Sequence, residues 1–254
     1  MKLLNLTYPI VAAMIALLSA CSVSDPDIDS GADGNDLRLT SISTPNGSYV
    51  TIAYDGYGRI TRLIRNYEKM TVSYSPLEIK IEERDDYDDE QPYVMSWKEI
   101  SLNSAGYISQ ATIIDGEDVY IRQFYYDAAG HLVKSVDDEG FTTTFSWDSL
   151  GHLTKVTDDE VTVVYHYYPI MNKHSQWNPS GVVYADLVEC TGLLGVPPSY
   201  LVKSFTQTEF SYGYEETSTI SYSYNLDHDG WIIQSKITGD DGATPILTWY
   251  YSKK

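Results

Sequence analysis

Tyr126-Asp127-Ala128-Ala129-Gly130-His131-Leu132 and Trp147-Asp148-Ser149-Leu150-Gly151-His152-Leu153 are two copies of one pattern. In each copy a large residue precedes Asp, two variable positions follow, and a Gly leads into His-Leu. A short side chain that accepts a hydrogen bond from the backbone two residues on, followed by a residue free to take positive φ, is the chemistry of a hairpin turn. Outward from this pair the same form recurs at Tyr54-Asp55-Gly56-Tyr57-Gly58, Leu102-Asn103-Ser104-Ala105-Gly106 and Leu226-Asp227-His228-Asp229-Gly230. Gly58, Gly106, Gly130, Gly151 and Gly230 are therefore expected to be structural turn glycines.

Between these anchors lies a second set of turns, at Asp115-Gly116-Glu117-Asp118, Asp137-Asp138-Glu139-Gly140, Asp158-Asp159-Glu160 and Asp240-Asp241-Gly242. Turns about 10 to 12 residues apart leave strands of about 6 to 9 residues and no room for a crossover helix, which predicts an antiparallel up-and-down meander. Side chains alternate across a strand, so the two faces read separately. Trp147, Phe145, Thr143 and Phe141 share one face against Ser146, Thr144 and Thr142; Leu226, Tyr224, Tyr222 and Ile220 share one face against Asn225, Ser223, Ser221 and Thr219. The expected class is all-β with one short helical insertion: hairpins forming one large curled sheet or partial barrel, aromatic face inward. A membrane-spanning barrel also has one apolar face, but strands this short and aromatics spread along them, outside any girdle, count against it.

The first two segments resemble the YD repeats of RHS proteins, whose hairpins form long curling sheets. The wider chain resembles a family of uncharacterised Bacteroidetes lipoproteins with a porin-like fold, in which such hairpins carry a helical insertion. Asn172-Lys173 and Leu194-Gly195-Val196-Pro197-Pro198-Ser199 match near the start and end of that insertion. The resemblance spans residues 37–254 and implies a fold and a cellular address. It carries over no activity and no functional residues.

Residues 37–254 read as one domain with the insertion at about 169–204. Val183, Leu187, Cys190 and Leu194 recur at the spacing of one helical face, and Gly195 with Pro197-Pro198 ends it, so this helix is expected to cover the apolar face with Cys190 as a buried, inert thiol. Trp177 lies outside the repeat pattern among the turn formers Asn172, Asn178, Pro179 and Gly181. It is the one candidate for ligand contact, with packing of the insertion onto the sheet as the alternative.

Upstream, residues 1–20 contain one charge, Lys2, and an apolar stretch from Ile10 to Leu18, which reads as a signal peptide. Leu18-Ser19-Ala20-Cys21 resembles the bacterial lipobox and makes Cys21 the expected lipidation site. Residues 21–36 then form an acidic tether carrying Asp25, Asp27, Asp29, Asp33 and Asp36; Ser30 stands where a calcium loop of the EF-hand type needs Gly. The expected location is the outer membrane, lipid-anchored, on the periplasmic or cell-surface side. A lipidated Cys21 leaves Cys190 no partner for an intrachain disulfide.

The whole chain has 36 Asp and Glu against 17 Lys and Arg, a net charge of −19, and 23 Tyr. That charge excludes nucleic acid as a partner bound through a basic surface. No nucleophile elbow, zinc-protease helix or phosphate loop is present, and His131, His152, His166, His174 and His228 show no metal-ligand spacing. No catalytic residue, metal site or cofactor is expected. The acidic run of Glu82, Glu83, Asp85, Asp86, Asp88, Asp89 and Glu90 reads as a solvated hairpin tip, against calcium binding or a glycosidase carboxyl pair. The expected function is that of a noncatalytic envelope protein, a binding or scaffold module for a glycan, peptide or partner protein. The alternatives are a structural subunit of a larger envelope assembly, or a glycosidase.

Overall fold

The computed structural model describes residues 37–43, 49–65, 68–76, 78–85, 93–172, 193–211, 214–240 and 246–253. Among them the chain forms sixteen strands: β1 (Leu37–Ser43), β2 (Tyr49–Tyr54), β3 (Ile60–Arg65), β4 (Glu68–Tyr74), β5 (Glu78–Asp85), β6 (Tyr93–Leu102), β7 (Ile108–Asp115), β8 (Asp118–Tyr126), β9 (Leu132–Asp137), β10 (Thr142–Trp147), β11 (Leu153–Thr157), β12 (Val161–Met171), β13 (Tyr200–Ser211), β14 (Tyr214–Leu226), β15 (Ile232–Thr238) and β16 (Ile246–Lys253). Each strand pairs with its sequence neighbours, and β1 pairs antiparallel with β16, so the meander closes into a barrel without edges. Sequence alternation fixes the meander but leaves closure open, because only the pairing of the two ends distinguishes a curled sheet from a ring.

An up-and-down ring has two rims. Turns after even-numbered strands share one of them with Leu37 and Lys253, which stand opposite each other in the first pairing of β1 with β16. All five repeat turns, and the connection from β12 to β13, lie on this anchor rim. The second, acidic set of turns lies on the other.

The interior is filled. Ile60, Ile79, Ile81, Ile100, Ile108, Leu132, Leu153 and Ile232 are 0–1% exposed, and Phe124, Phe145, Tyr165, Phe205 and Tyr222 are also buried. The opposite face of the same strands is polar: Thr71, Ser73, Lys80, Glu99, Ser101, Thr144, Ser146, Ser221 and Ser223 are exposed. This is the reverse of a membrane barrel, which turns an apolar band to lipid and keeps polar groups inside. A round ring of sixteen strands encloses an aqueous channel. The inward side chains here have near-zero exposure, so they do not line an open aqueous lumen.

Two expectations need correction. The strands are not all short: β6, β12, β13 and β14 have 10, 11, 12 and 13 residues, so strand length does not argue against a membrane barrel and the inverted polarity does. Phe141, assigned to the core face, has the right parity but is 56% exposed, because it stands before the first residue of β10, beyond the filled part of the barrel. The insertion is bounded by Met171 and Tyr200; Trp177, Val183, Leu187 and Cys190 lie outside the described residues, as do Cys21 and the rest of residues 1–36. No described helix is long and apolar enough to cross a membrane.

Candidate functional site

At the anchor rim the repeat builds the same object five times. The Oδ1 of Asp55 accepts from the amides of Tyr57 and Arg59; Asn103, Asp127, Asp148 and Asp227 do the same at their own positions two and four residues on, all at 2.8–3.0 Å. The turn glycines take φ between 78° and 87°. Just past each turn the strand register skips one residue, between Ala53 and Tyr54, Ser101 and Leu102, Tyr125 and Tyr126, Ser146 and Trp147, and Asn225 and Leu226. The extra residue makes a bulge. At three of them its hydroxyl bonds the partner strand: Thr61 to Ala53 O, Ser109 to Ser101 O and Thr154 to Ser146 O.

At three of these bulges, where the ladder is interrupted, an aromatic of a following strand fills in. The Tyr74 hydroxyl donates to Ile60 O at 2.7 Å, Trp147 Nε1 to Leu132 O at 2.8 Å and the Tyr167 hydroxyl to Leu153 O at 2.9 Å. Tyr224 likewise donates to Val202 O. Each aromatic thus packs its ring against the core and satisfies a carbonyl next door, a role that tyrosine, with an apolar body and a polar tip, suits. Burial, with Tyr165 nearby, pushes the Tyr167 phenol far above its ordinary range, and burial beside Tyr222, Tyr168 and Tyr167 does the same to Tyr224.

In four of the turns the residue after the glycine packs on an aromatic ring. His131 stacks on Trp147 at 4.4 Å and His152 on Tyr167 at 4.7 Å, Tyr107 tilts against Tyr126, and the Arg59 guanidinium lies 4.3 Å from the Tyr74 ring centre. Each cation-capable member also reaches back to the second oxygen of its own turn carboxylate: Arg59 Nε to Asp55 at 2.8 Å, His131 Nδ1 to Asp127 at 3.1 Å and His152 Nδ1 to Asp148 at 2.7 Å. Partial desolvation raises these acids, but the turn amides together with the partner side chains outweigh it and leave Asp55, Asp127 and Asp148 below the ordinary carboxylate value. His131 and His152 do not converge on a shared site; each is locked between its own Asp and a neighbouring ring.

The arm returning from the insertion closes over this row. Val196 N donates to Gly130 O at 2.9 Å, Asn172 N to Ser199 O at 2.9 Å, and Leu193 and Leu194 are buried beneath. The Tyr200 ring lies 4.7 Å from that of His152. Among the described residues Asp227, His228 and Asp229 form the one group with metal-ligating atoms within 4.8 Å of one another. Asp227 is already committed to two turn amides and His228 is 88% exposed, so this is the ordinary surface of a repeat turn.

The acidic rim differs. Asp138, Glu139, Asp159, Glu160, Glu215 and Glu216 lie in its turns or strand ends, with Tyr120, Phe141, Phe210 and Tyr214 exposed among them. Glu83 is not part of a solvated tip: it points inward to Lys98, which is 2% exposed, with Nζ 3.2 Å from its carboxylate. The rest of the run, from Arg84 to Glu90, lies outside the described side chains. Sequence reading also missed that Asp137 makes the repeat turn on this rim, its Oδ1 accepting from Phe141 N at 2.8 Å and Gly140 at φ 91°. The signal was present, since Val136-Asp137-Asp138-Glu139-Gly140 fits the pattern.

Comparison with known proteins agrees with this geometry. The RHS Repeat family matches over residues 126–160, the hairpins around the two best copies of the pattern. Among solved structures, a porin-like protein from Bacteroides uniformis superposes with TM-score 0.58 at 16% identity, covering 84% of this chain and 96% of that one. A porin-like protein from Bacteroides vulgatus gives TM-score 0.48 at 13% identity, covering 85% and 99%. No curated protein matches the chain. The family match and the superposition on the Bacteroides uniformis protein establish a porin-like fold related to RHS repeats.

Proposed function

We propose that this chain is a noncatalytic envelope protein, lipid-anchored through Cys21, whose barrel is a solid scaffold that presents its rims for binding. The observation that carries the reading is the inverted barrel: an interior closed by apolar side chains conducts nothing, and a wall of Ser, Thr, Lys and Glu does not face lipid. Loops on a rigid support are where recognition concentrates, and here the rims are the only irregular surfaces the described fold offers. The lipobox read from Leu18-Ser19-Ala20-Cys21 supports the anchor. Absence of a pre-organised nucleophile or convergent acid pair among the described residues is the reason for reading the protein as noncatalytic. A partner protein, peptide or glycan remains the proposed binding class.

The test is fractionation with mass analysis. Wild-type protein is expected in the membrane fraction with an acylated N-terminal Cys21, and Cys21→Ala as a folded soluble domain. Ion conductance after insertion of the purified protein into planar bilayers would overturn the solid-scaffold reading, and a Cys21→Ala protein that survives a carbonate wash on membranes would overturn the anchor.

A further inference from the structure

The described chain begins at Leu37, on the anchor rim, and the tips of that rim expose apolar side chains. Tyr57 is 79% exposed and Leu150 65%, and they occupy the same place in their turns, immediately before Gly58 and Gly151. Met171, 66% exposed, ends β12 on the same rim. The turn between β2 and β3 and that between β10 and β11 are eight strands apart in a ring of sixteen, so Tyr57 and Leu150 stand on opposite sides of the rim.

We propose that the anchor rim rests on the membrane surface, with Tyr57 and Leu150 seated in the lipid interface and the acidic rim turned outward; this rests on the lipid-anchor reading. The sixteen residues from Cys21 to Asp36 span at most about 55 Å, and they join the barrel at this rim and not the other. That reach alone would still let the barrel roll, so the rim surfaces decide. On the anchor rim the carboxylates of Asp55, Asp127 and Asp148 are engaged by their own turn amides and by Arg59, His131 and His152; Asp227 takes two turn amides, and Asp229 lies 3.1 Å from His228. The Arg59 guanidinium, 5.2 Å from the Tyr57 ring centre and 4.3 Å from that of Tyr74, is paired with Asp55, so the exposed Tyr57 ring stands beside a neutralised ion pair and not a bare carboxylate. The opposite rim also exposes aromatics, Tyr120, Phe141, Phe210 and Tyr214, but they stand among Asp138, Glu139, Asp159, Glu160, Glu215 and Glu216, which anionic headgroups repel. A tyrosine and a leucine at two opposed points are the kind of side chains that settle at a bilayer interface.

Nitroxide labels report this directly. In a Cys190→Ser background, Tyr57→Cys, Leu150→Cys and, on the acidic rim, Glu139→Cys are labelled in lipidated protein on vesicles of phosphatidylethanolamine and phosphatidylglycerol, and in the same proteins carrying Cys21→Ala in solution. The ratio of collision with oxygen to collision with an aqueous nickel chelate is expected to rise several-fold at positions 57 and 150 on vesicles and to stay unchanged at 139. Lipidated protein that floats with the vesicles yet shows equal ratios at both rims overturns the orientation alone. Shielding of 57 and 150 in the Cys21→Ala proteins without vesicles assigns the rim to a protein contact and overturns it as well. Failure to float, with no acyl mass on the N-terminal peptide, overturns the anchor and this proposal together.

Discussion

At the scale of single residues, the turn Asp is the unit on which everything else is hung. Its two oxygens have separate tasks: Oδ1 takes two backbone amides, and in three of the turns Oδ2 takes the side chain that also stacks on the next aromatic. Asn103 occupies the same place, so the amide-accepting task does not need a charge. Asp127→Asn is therefore expected to lower stability at neutral pH by only a few tenths of a kcal/mol, whereas Asp127→Ala, which strips the acceptor from two amides, costs about 1 kcal/mol, as loss of a helix cap does. Equal denaturation midpoints for the two variants would sink the assignment. The pH dependence follows from the lowered acids. A carboxyl whose folded value is depressed contributes stability that is present above its unfolded value, near 3.8, and is lost as pH falls through the folded one. Below about pH 4 the wild type should lose stability more steeply than Asp127→Asn, measured by urea unfolding at a series of acid pH values.

At the scale of elements, three of the repeat hairpins are incomplete alone, because the bulge interrupts the ladder and leaves a carbonyl, at Ile60, Leu132 and Leu153, that a neighbouring aromatic satisfies. Tyr167→Phe keeps the ring and removes the donor to Leu153 O, so a loss of about 1–2 kcal/mol is expected, and an unchanged melt would show that the bond contributes nothing. The arm over the rim gives a sharper contrast. Gly140 and Gly195 both hold positive φ, at 91° and 87°. A Cβ on Gly140 meets nothing within 4 Å, while one on Gly195 would meet the Gly130 carbonyl and the Tyr126 ring. Gly140→Ala should cost about 1 kcal/mol from backbone strain, and Gly195→Ala about 2–4 kcal/mol once overpacking is added. Equal effects in thermal unfolding would mean that the arm yields freely. These elements also show what sequence can lose: aliphatic residues at Ile60, Ile108, Leu132, Leu153 and Ile232, and hydroxyls at Thr61, Ser109 and Thr154, stand five and six places after the turn residue. The aliphatic position is legible as part of the pattern. The hydroxyl becomes meaningful only once the bulge is seen.

At the scale of the molecule, closure is what removes the edges. β16 supplies hydrogen bonds to both β1 and β15, so a chain ending at Thr238 should expose two open strands and self-associate, detected as oligomers by light scattering; a monodisperse truncated monomer would show that the ring does not depend on its last strand. The repeat turns, the meander and the inward face were determined by the sequence, because a hairpin turn is set by a few adjacent residues and a strand's faces by a period of two. The match over residues 126–160 falls where that local pattern is strongest. Closure of the ring, the burial of its inward face and the separation of an anchor rim from an acidic rim were decided only by tertiary structure. They depend on β1 meeting β16 across the whole length of the chain and on the alternation of strand direction, which assigns each local turn to one end or the other. The sequence places charge and aromatics along a line; only the folded ring determines which of them stand together.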